Sequence, residues 1–219
     1  MNEHPNDRLT ATLGPGGRQG GAPLASAHAA LVLLHGRGAS AADIPGLAQE
    51  VDAPGTAYLA PQAPGSQWYP YSFLAPLASN EPWLGESLAR IETLLELLGA
   101  AGIPAERVAL LGFSQGACLA LEYAARHARR FGAVVGLSGG LIGPDDTPRN
   151  YPGDFGATPI FLGCSDVDPH IPRARVDLTA TALRRMGGAV DERIYPGMGH
   201  TINWDELAAV RELVAGIAR

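Results

Sequence analysis

Three short segments of this chain carry residue types that could do nucleophilic chemistry, and they come in a definite order. Gly112-Phe113-Ser114-Gln115-Gly116 is followed by Ser165-Asp166-Val167-Asp168-Pro169-His170-Ile171-Pro172 and then by Tyr195-Pro196-Gly197-Met198-Gly199-His200. A serine hydroxyl is a weak nucleophile at neutral pH. It needs a base within hydrogen-bond reach and an acid to orient that base. Ser114, His200 and Asp168 could fill those three roles in acyl transfer.

The G-x-S-x-G pattern works by geometry, so its setting decides its meaning. The apolar run 107–111 reads as a buried strand, and 117–126 reads as a helix. A strand that turns sharply into a helix lifts the serine clear of the sheet, and glycines on either side remove the side chains that would clash. A second match, Gly136-Leu137-Ser138-Gly139-Gly140, also follows a strand-like run. It is followed by Leu141-Ile142-Gly143-Pro144-Asp145-Asp146, which cannot start a helix at once. Ser114 therefore passes the test and Ser138 fails it.

The histidines downstream of Ser114 are His127, His170 and His200. His127 falls in the body of the helix after the serine, where a surface role is expected. His200 leaves a strand in a loop rich in residues that permit close backbone approach, the place expected for a base. Between serine and histidine, Asp166 and Asp168 cannot both aim at one imidazole from an extended loop. Asp168, just before Pro169, is the chosen acid. Asp166 is the reserve, with a role in bonding nearby backbone N–H groups. A tetrahedral intermediate also needs oxyanion donors: the main-chain N–H of Gln115, and that of Arg37 in the early loop His35-Gly36-Arg37-Gly38. The Arg37 guanidinium could either attract an anionic substrate or tie down a loop. His35 reads as a structural loop residue.

These residues must be positioned by alternating strands and helices. Strand-like runs lie at 30–34, 57–60, 107–111, 132–137, 159–163 and 189–195. Helical patterns lie at 43–51, 83–98, from 117 to about 130, at 173–186 and at 204–218. In the second helix Leu84, Leu88, Ile91, Leu95 and Leu98 recur at helical spacing. Such alternation predicts an α/β fold, a mostly parallel sheet with helices on both faces, whose functional residues gather at the carboxyl ends of strands. The chemical segments all fall at such ends. Residues 22–219 read as a single domain. Residues 1–21 read as a flexible segment or an edge strand, with 9–13 as the candidate strand.

Composition narrows the classes. The chain has 219 residues, 17% charged and 46% apolar, with a formal net charge of −6. Those values fit an ordinary soluble domain, and with no basic cluster nucleic-acid binding is disfavoured. Arg126, Arg129 and Arg130 read as a solvated helix end. No run is long enough for membrane insertion, and the polar, Gly-rich residues 1–21 point to a cytoplasmic location. Cys118 and Cys164 suggest no disulfide framework, with Cys118 read as a core residue, and no Cys/His spacing suggests a metal site.

Taken together, these segments resemble the phospholipase/carboxylesterase family of α/β-hydrolases, which also holds acyl-protein thioesterases. Leu33-Leu34-His35-Gly36-Arg37-Gly38-Ala39-Ser40 is similar to its oxyanion-loop motif and Gly112-Phe113-Ser114-Gln115-Gly116-Ala117 to its nucleophile motif. Asp168-Pro169-His170-Ile171-Pro172 and Gly197-Met198-Gly199-His200 are similar to its acid and histidine loops. The similarity runs from about residue 30 to the end. It implies a serine esterase that needs no cofactor, with Ser114, Asp168 and His200 as triad, Arg37 and Gln115 at the oxyanion hole, and Asp168 preferred over Asp166. Arg37 looks more like the bacterial carboxylesterase members than the thioesterases. Cys164-Ser165 stands where His-Gly is common, and His170 occupies a usually aliphatic position.

The stretch Trp68-Tyr69-Pro70-Tyr71-Ser72-Phe73-Leu74-Ala75-Pro76-Leu77 is aromatic in a chain only 6% aromatic. It follows a strand end, so Trp68, Tyr71, Phe73 and Leu74, with His170, are the expected pocket residues. Only about twenty residues separate Ser138 from Pro159, too few for a large cap domain. An open site for small, short- to medium-chain esters is expected. An acyl-protein thioesterase or lysophospholipase would use the same triad with a longer groove. A lactone hydrolase of the dienelactone type usually carries cysteine where Ser114 stands, and a silent binding protein on this fold tends to lose one triad partner. Exposed apolar residues around 68–77 could pair two copies into a homodimer.

Overall fold

Among the described residues, seven strands form one sheet in the order β1-β3-β2-β4-β5-β6-β7. The computed structural model describes residues 5–43, 45–51 and 53–218. The strands are β1 (Arg18–Gly21), β2 (Ala29–Leu34), β3 (Thr56–Ala60), β4 (Val108–Phe113), β5 (Ala133–Leu137), β6 (Pro159–Ser165) and β7 (Ala189–Tyr195). The helices are α1 (Pro5–Leu13), α2 (Pro45–Glu50), α3 (Trp83–Ala100), α4 (Gln115–Arg126), α5 (Arg173–Arg185) and α6 (Trp204–Ile217). β2 to β7 pair in parallel, and only β1 runs antiparallel, against β3. This is the α/β-hydrolase architecture.

The central strands are apolar throughout because both faces of the sheet are covered. Along β2, Ala30, Val32 and Leu34 enter the core shared with α1, α3, α4 and α5. Ala29, Leu31 and Leu33 enter the opposite core beneath α6. In β4, Val108 and Leu110 divide from Ala109 and Leu111 in the same way. Each fully buried leucine stabilises by about 2 kcal/mol, so these two-sided strands anchor the sheet. β1, exposed at every position, adds backbone pairing.

The amino-terminal segment differs from the expected edge strand over 9–13. Those residues end helix α1, which packs on α3 through Leu9 and Leu13. The two leucines stand four apart and so share one helix face. The edge strand is Arg18–Gly21, polar in sequence. Its signal is missing because antiparallel pairing with β3 uses main-chain groups. At its end Gly21 takes φ +70°, and a Cβ there would overlap the Thr56 carbonyl. Residues 1–4 of the expected segment lie outside the described residues. A second difference is helix α4, which stops at Arg126 instead of running to about 130. His127 closes it, its N–H donating to the Tyr123 carbonyl at 3.0 Å.

The connection from β5 to β6, residues 138–158, contains no helix, and no large cap stands over the sheet. The carboxyl ends of the parallel strands β2, β4, β6 and β7 lie along one edge of the sheet. No helix among the described residues is long and apolar enough to cross a membrane.

Candidate active site

Ser114 follows β4 directly and α4 begins at the next residue. The turn is sharp enough that Ser114 adopts φ +55°, ψ −118°, a conformation that costs of order 1–3 kcal/mol for a residue with a side chain. What makes room for it is glycine. A Cβ on Gly112 would overlap the main chain of Gly116, and a Cβ on Gly116 would overlap the Leu34 carbonyl. The strand, the helix and β2 are thus pressed together at this one point. The first turn of α4, with its unpaired N–H groups and positive dipole end, faces the serine.

The imidazole of His200 comes from the loop after β7. Its Nε2 lies 2.9 Å from Ser114 Oγ and its Nδ1 2.7 Å from Asp168 Oδ2. The Phe113 ring lies beside the imidazole, centroids 4.9 Å apart. Asp168, in the loop after β6, has a fully buried side chain. Burial works to raise its pKa, but hydrogen bonds outweigh it. His200 bonds one oxygen, and the N–H groups of His170 and Ile171 donate to the other at 2.8 and 3.0 Å. The carboxyl is held below its usual range and stays ionised beside the imidazole. The Cys164 thiol points at the same Oδ2 from 3.8 Å. Burial, the larger cause, and the Asp168 charge push that thiol up to about 12.

The neighbouring carboxylate does different work. Asp166 Oδ1 accepts the N–H of Gly197 at 2.7 Å, and Ser165 Oγ accepts the N–H of Gly199 at 3.2 Å. Asp166 and Ser165 thus hold the loop that presents His200, while Asp168 meets the ring. His127 stacks on Tyr123, centroids 4.7 Å apart, away from the serine. Ser138 is fully buried.

The loop after β2 closes the other side. A Cβ on Gly36 would sit 3.4 Å from Ser114 Cβ, so this loop lies against the serine turn. His35 is buried and tied down: its Nε2 accepts the N–H of Ala63 at 3.1 Å and its Nδ1 bonds the Gly36 carbonyl at 2.8 Å. Burial lowers its pKa, the Gly36 bond and the Asp43 charge opposing. The neutral tautomer with hydrogen on Nδ1 satisfies both contacts.

A cavity of about 460 Å³ opens over Ser114 and His200. Phe73 and His170 line it, as the sequence suggests. Trp68, Tyr71 and Leu74 do not. Trp68 is buried, its indole Nε1–H donating to the His35 carbonyl at 2.8 Å. Tyr71 is 59% exposed, and Leu74 packs partly against the main core. Tyr69, Cys118, Phe113 and Ile171 line the cavity instead. In an irregular loop no periodicity tells which aromatic turns inward, so Tyr69 and Trp68 were indistinguishable by pattern. Cys118 could have been found, because it stands one helical turn after Ser114. Trp68, Tyr69 and Phe73 are buried, so the apolar surface that 68–77 exposes is Tyr71 with the half-buried Leu74 and Leu77. Among the described residues no cluster of three or more His, Cys, Asp or Glu side chains is set to hold a metal ion.

A model of the phospholipase/carboxylesterase family matches residues 22–217. The chain belongs to that family. A solved phospholipase/carboxylesterase from Dyadobacter fermentans is 44% identical, covers 90% of this chain and 95% of its own, and superposes with a TM-score of 0.86. Esterase PE8 is 25% identical over 92% of this chain and 98% of its own, with a TM-score of 0.77. Among curated proteins, acyl-protein thioesterase 1 of Yarrowia lipolytica is 28% identical over 86% of this chain and 92% of its own length. That of Gibberella zeae is 31% identical over 61% of this chain, and the match spans 59% of its own length. The phospholipase/carboxylesterase family is one of serine hydrolases, and by this membership the chain is a carboxylic ester hydrolase.

Proposed function

We propose that the protein hydrolyses small, short- to medium-chain carboxylic esters through an acyl-enzyme on Ser114. One observation carries the reading: the unbroken hydrogen-bonded series Ser114 Oγ, His200, Asp168, opening into a cavity. His200 Nε2 takes the Ser114 proton as Oγ attacks the ester carbonyl, and returns it to the departing alcohol. A water then attacks the acyl-enzyme by the same route in reverse. Asp168, held ionised, fixes the imidazole and stabilises its cationic form.

The oxyanion is assigned to the main-chain N–H groups of Gln115 and Arg37. Gln115 opens helix α4, where the N–H has no intrahelical acceptor. The packing of Gly36 against Ser114 supports assigning the next N–H, that of Arg37, to the same oxyanion. The cavity, at about 460 Å³, lies toward the small end of ligand pockets. Phe73 and Ile171 on its walls favour an apolar acyl chain of limited length.

Hydrolysis of p-nitrophenyl esters from acetate to palmitate, with Ser114→Ala alongside, tests this. Activity highest on short and medium chains and absent from the variant is the expected result. A steady rise in kcat/KM toward palmitate would overturn the chain-length assignment. It would favour the second reading, an acyl-protein thioesterase or lysophospholipase, for which the observation is the similarity to acyl-protein thioesterase 1 of Yarrowia lipolytica.

A further inference from the structure

Two side chains reach the loop 67–71 from opposite sides. Arg37 Nη1 donates to Gln67 Oε1 and the Pro70 carbonyl, both at 2.8 Å. Its Nη2 donates to the Tyr69 carbonyl at 2.9 Å and the Tyr71 carbonyl at 2.7 Å. The guanidinium carbon also stands 5.9 Å from the centre of the Tyr69 ring. From the serine side, Gln115 Oε1 accepts the Trp68 N–H at 2.9 Å, and its Nε2 donates to the Tyr69 carbonyl at 2.8 Å. One carbonyl, that of Tyr69, therefore holds both side chains. Two more ties join the same loops: Gly38 N–H to the Ser66 carbonyl and the Trp68 indole to the His35 carbonyl, each 2.8 Å.

Arg37 and Gln115 are the residues whose main-chain N–H groups are assigned to the oxyanion. They lie on separate segments, 78 positions apart, and Arg37 is flanked by Gly36 and Gly38, the latter at φ +77°. Flanking glycines leave that N–H free to swing. A planar fork that makes four hydrogen bonds resists such rotation, which a single ammonium group cannot do.

We propose that loop 67–71 is the brace that sets the spacing of the oxyanion donors, with the Arg37 guanidinium as the positioning residue that locks it. The guanidinium spends its four Nη hydrogens on the oxygens of this loop, which makes it part of the brace. This rests on the assignment of Ser114 as nucleophile and of the two N–H groups as oxyanion donors.

Kinetics of Arg37→Ala and Arg37→Lys on p-nitrophenyl butyrate test the brace, because both variants keep the main-chain N–H at position 37. For Arg37→Ala, kcat falls about 10- to 100-fold, the scale of a 1 Å misplacement, while KM changes less, within about threefold, since the lost bonds are to loop oxygens and not to substrate. A trifluoromethyl ketone, which forms a tetrahedral adduct on the serine, loses affinity by the same factor as kcat/KM, whereas butyrate does not. Arg37→Lys falls between. Gln67→Ala, outside the cavity, gives a smaller loss of kcat in the same direction and serves should Arg37→Ala fail to fold. An unchanged kcat and adduct affinity in folded Arg37→Ala would overturn the brace. So would a loss expressed in KM and confined to esters with a negatively charged acyl end. If Ser114→Ala keeps wild-type activity, the underlying assignment fails instead, whatever Arg37 does.

Discussion

Ser114 and Ser138 end neighbouring parallel strands, each inside a G-x-S-x-G pentapeptide, and each holds a positive φ, 55° and 50°. Each serine N–H is fastened to the next strand end, Ser114 to the Leu137 carbonyl at 2.9 Å and Ser138 to the Gly163 carbonyl at 2.7 Å. The two turns are close to equal up to that point. After Ser114 a helix starts at once, and Oγ stands 2.9 Å from His200. After Ser138 no helix starts until Arg173, and Oγ is buried without a hydrogen-bond partner. Sheet position and local strain are thus shared by both serines. What separates them is the helix that follows and the loop that faces them.

The largest effect expected from that contrast is on catalysis. Ser114→Ala lowers kcat by about 10⁵- to 10⁶-fold, whereas Ser138→Ala leaves it within about twofold, because that buried hydroxyl makes no bond to His200 or Asp168. Equal losses in steady-state assays would abolish the distinction. The two acids of the β6 loop sharpen it further. Asp168→Asn costs about 10⁴-fold in kcat by disturbing the imidazole tautomer. Asp166→Asn, which weakens a bond to Gly197, costs less than about tenfold in the same assay.

The glycines give a smaller, structural comparison. Gly112→Ala would force a Cβ into the main chain of Gly116, which cannot yield. Soluble expression or kcat should collapse, the latter by at least about 100-fold. Gly140→Ala meets Arg175 Cγ at 2.8 Å and Thr179 Oγ1 at 3.0 Å, atoms of buried, hydrogen-bonded side chains that must shift, but it overlaps no main chain of the serine turn. A lowered Tm with activity retained is expected. The smallest effect concerns Glu206, packed against Gly163 behind Ser138. Burial raises its pKa to about 7 from 4.5, against the bond from Asn203 N–H and with help from the Asp205 charge. A raised folded-state pKa favours the protonated form. Its stabilisation is therefore full below the unfolded value and lost as pH rises through about 7. Thermal melts should show Glu206→Gln more stable than wild type above about pH 7, the gap closing near pH 4.5. A gap that widens at low pH would reverse the sign.

The parallel sheet was readable in the sequence because strands buried on both faces are apolar at every position, as β2 and β4 are. The serine turn was readable because Gly112 is forced by the main chain of Gly116, four residues on, whereas Gly116 itself is forced by distant Leu34 on β2. The edge strand at 18–21 was not, because main-chain pairing leaves no mark on side-chain type. Nor was the inward turn of Tyr69, or the exclusion of Trp68, Tyr71 and Leu74 from the cavity. The sequence left the Arg37 guanidinium open between anion and loop, and its four loop partners lie 30 to 34 positions away.

By itself, then, the sequence determined the residue types, their order Ser, Asp, His, and the strands whose ends carry them. The tertiary structure alone decided that residues 86 and 32 positions apart meet at 2.9 and 2.7 Å, and which aromatic rings wall the space above them. The physical reason is range. Periodicity and turn chemistry act over a few residues, whereas the direction of a loop side chain is set by whichever distant segments the sheet brings against it.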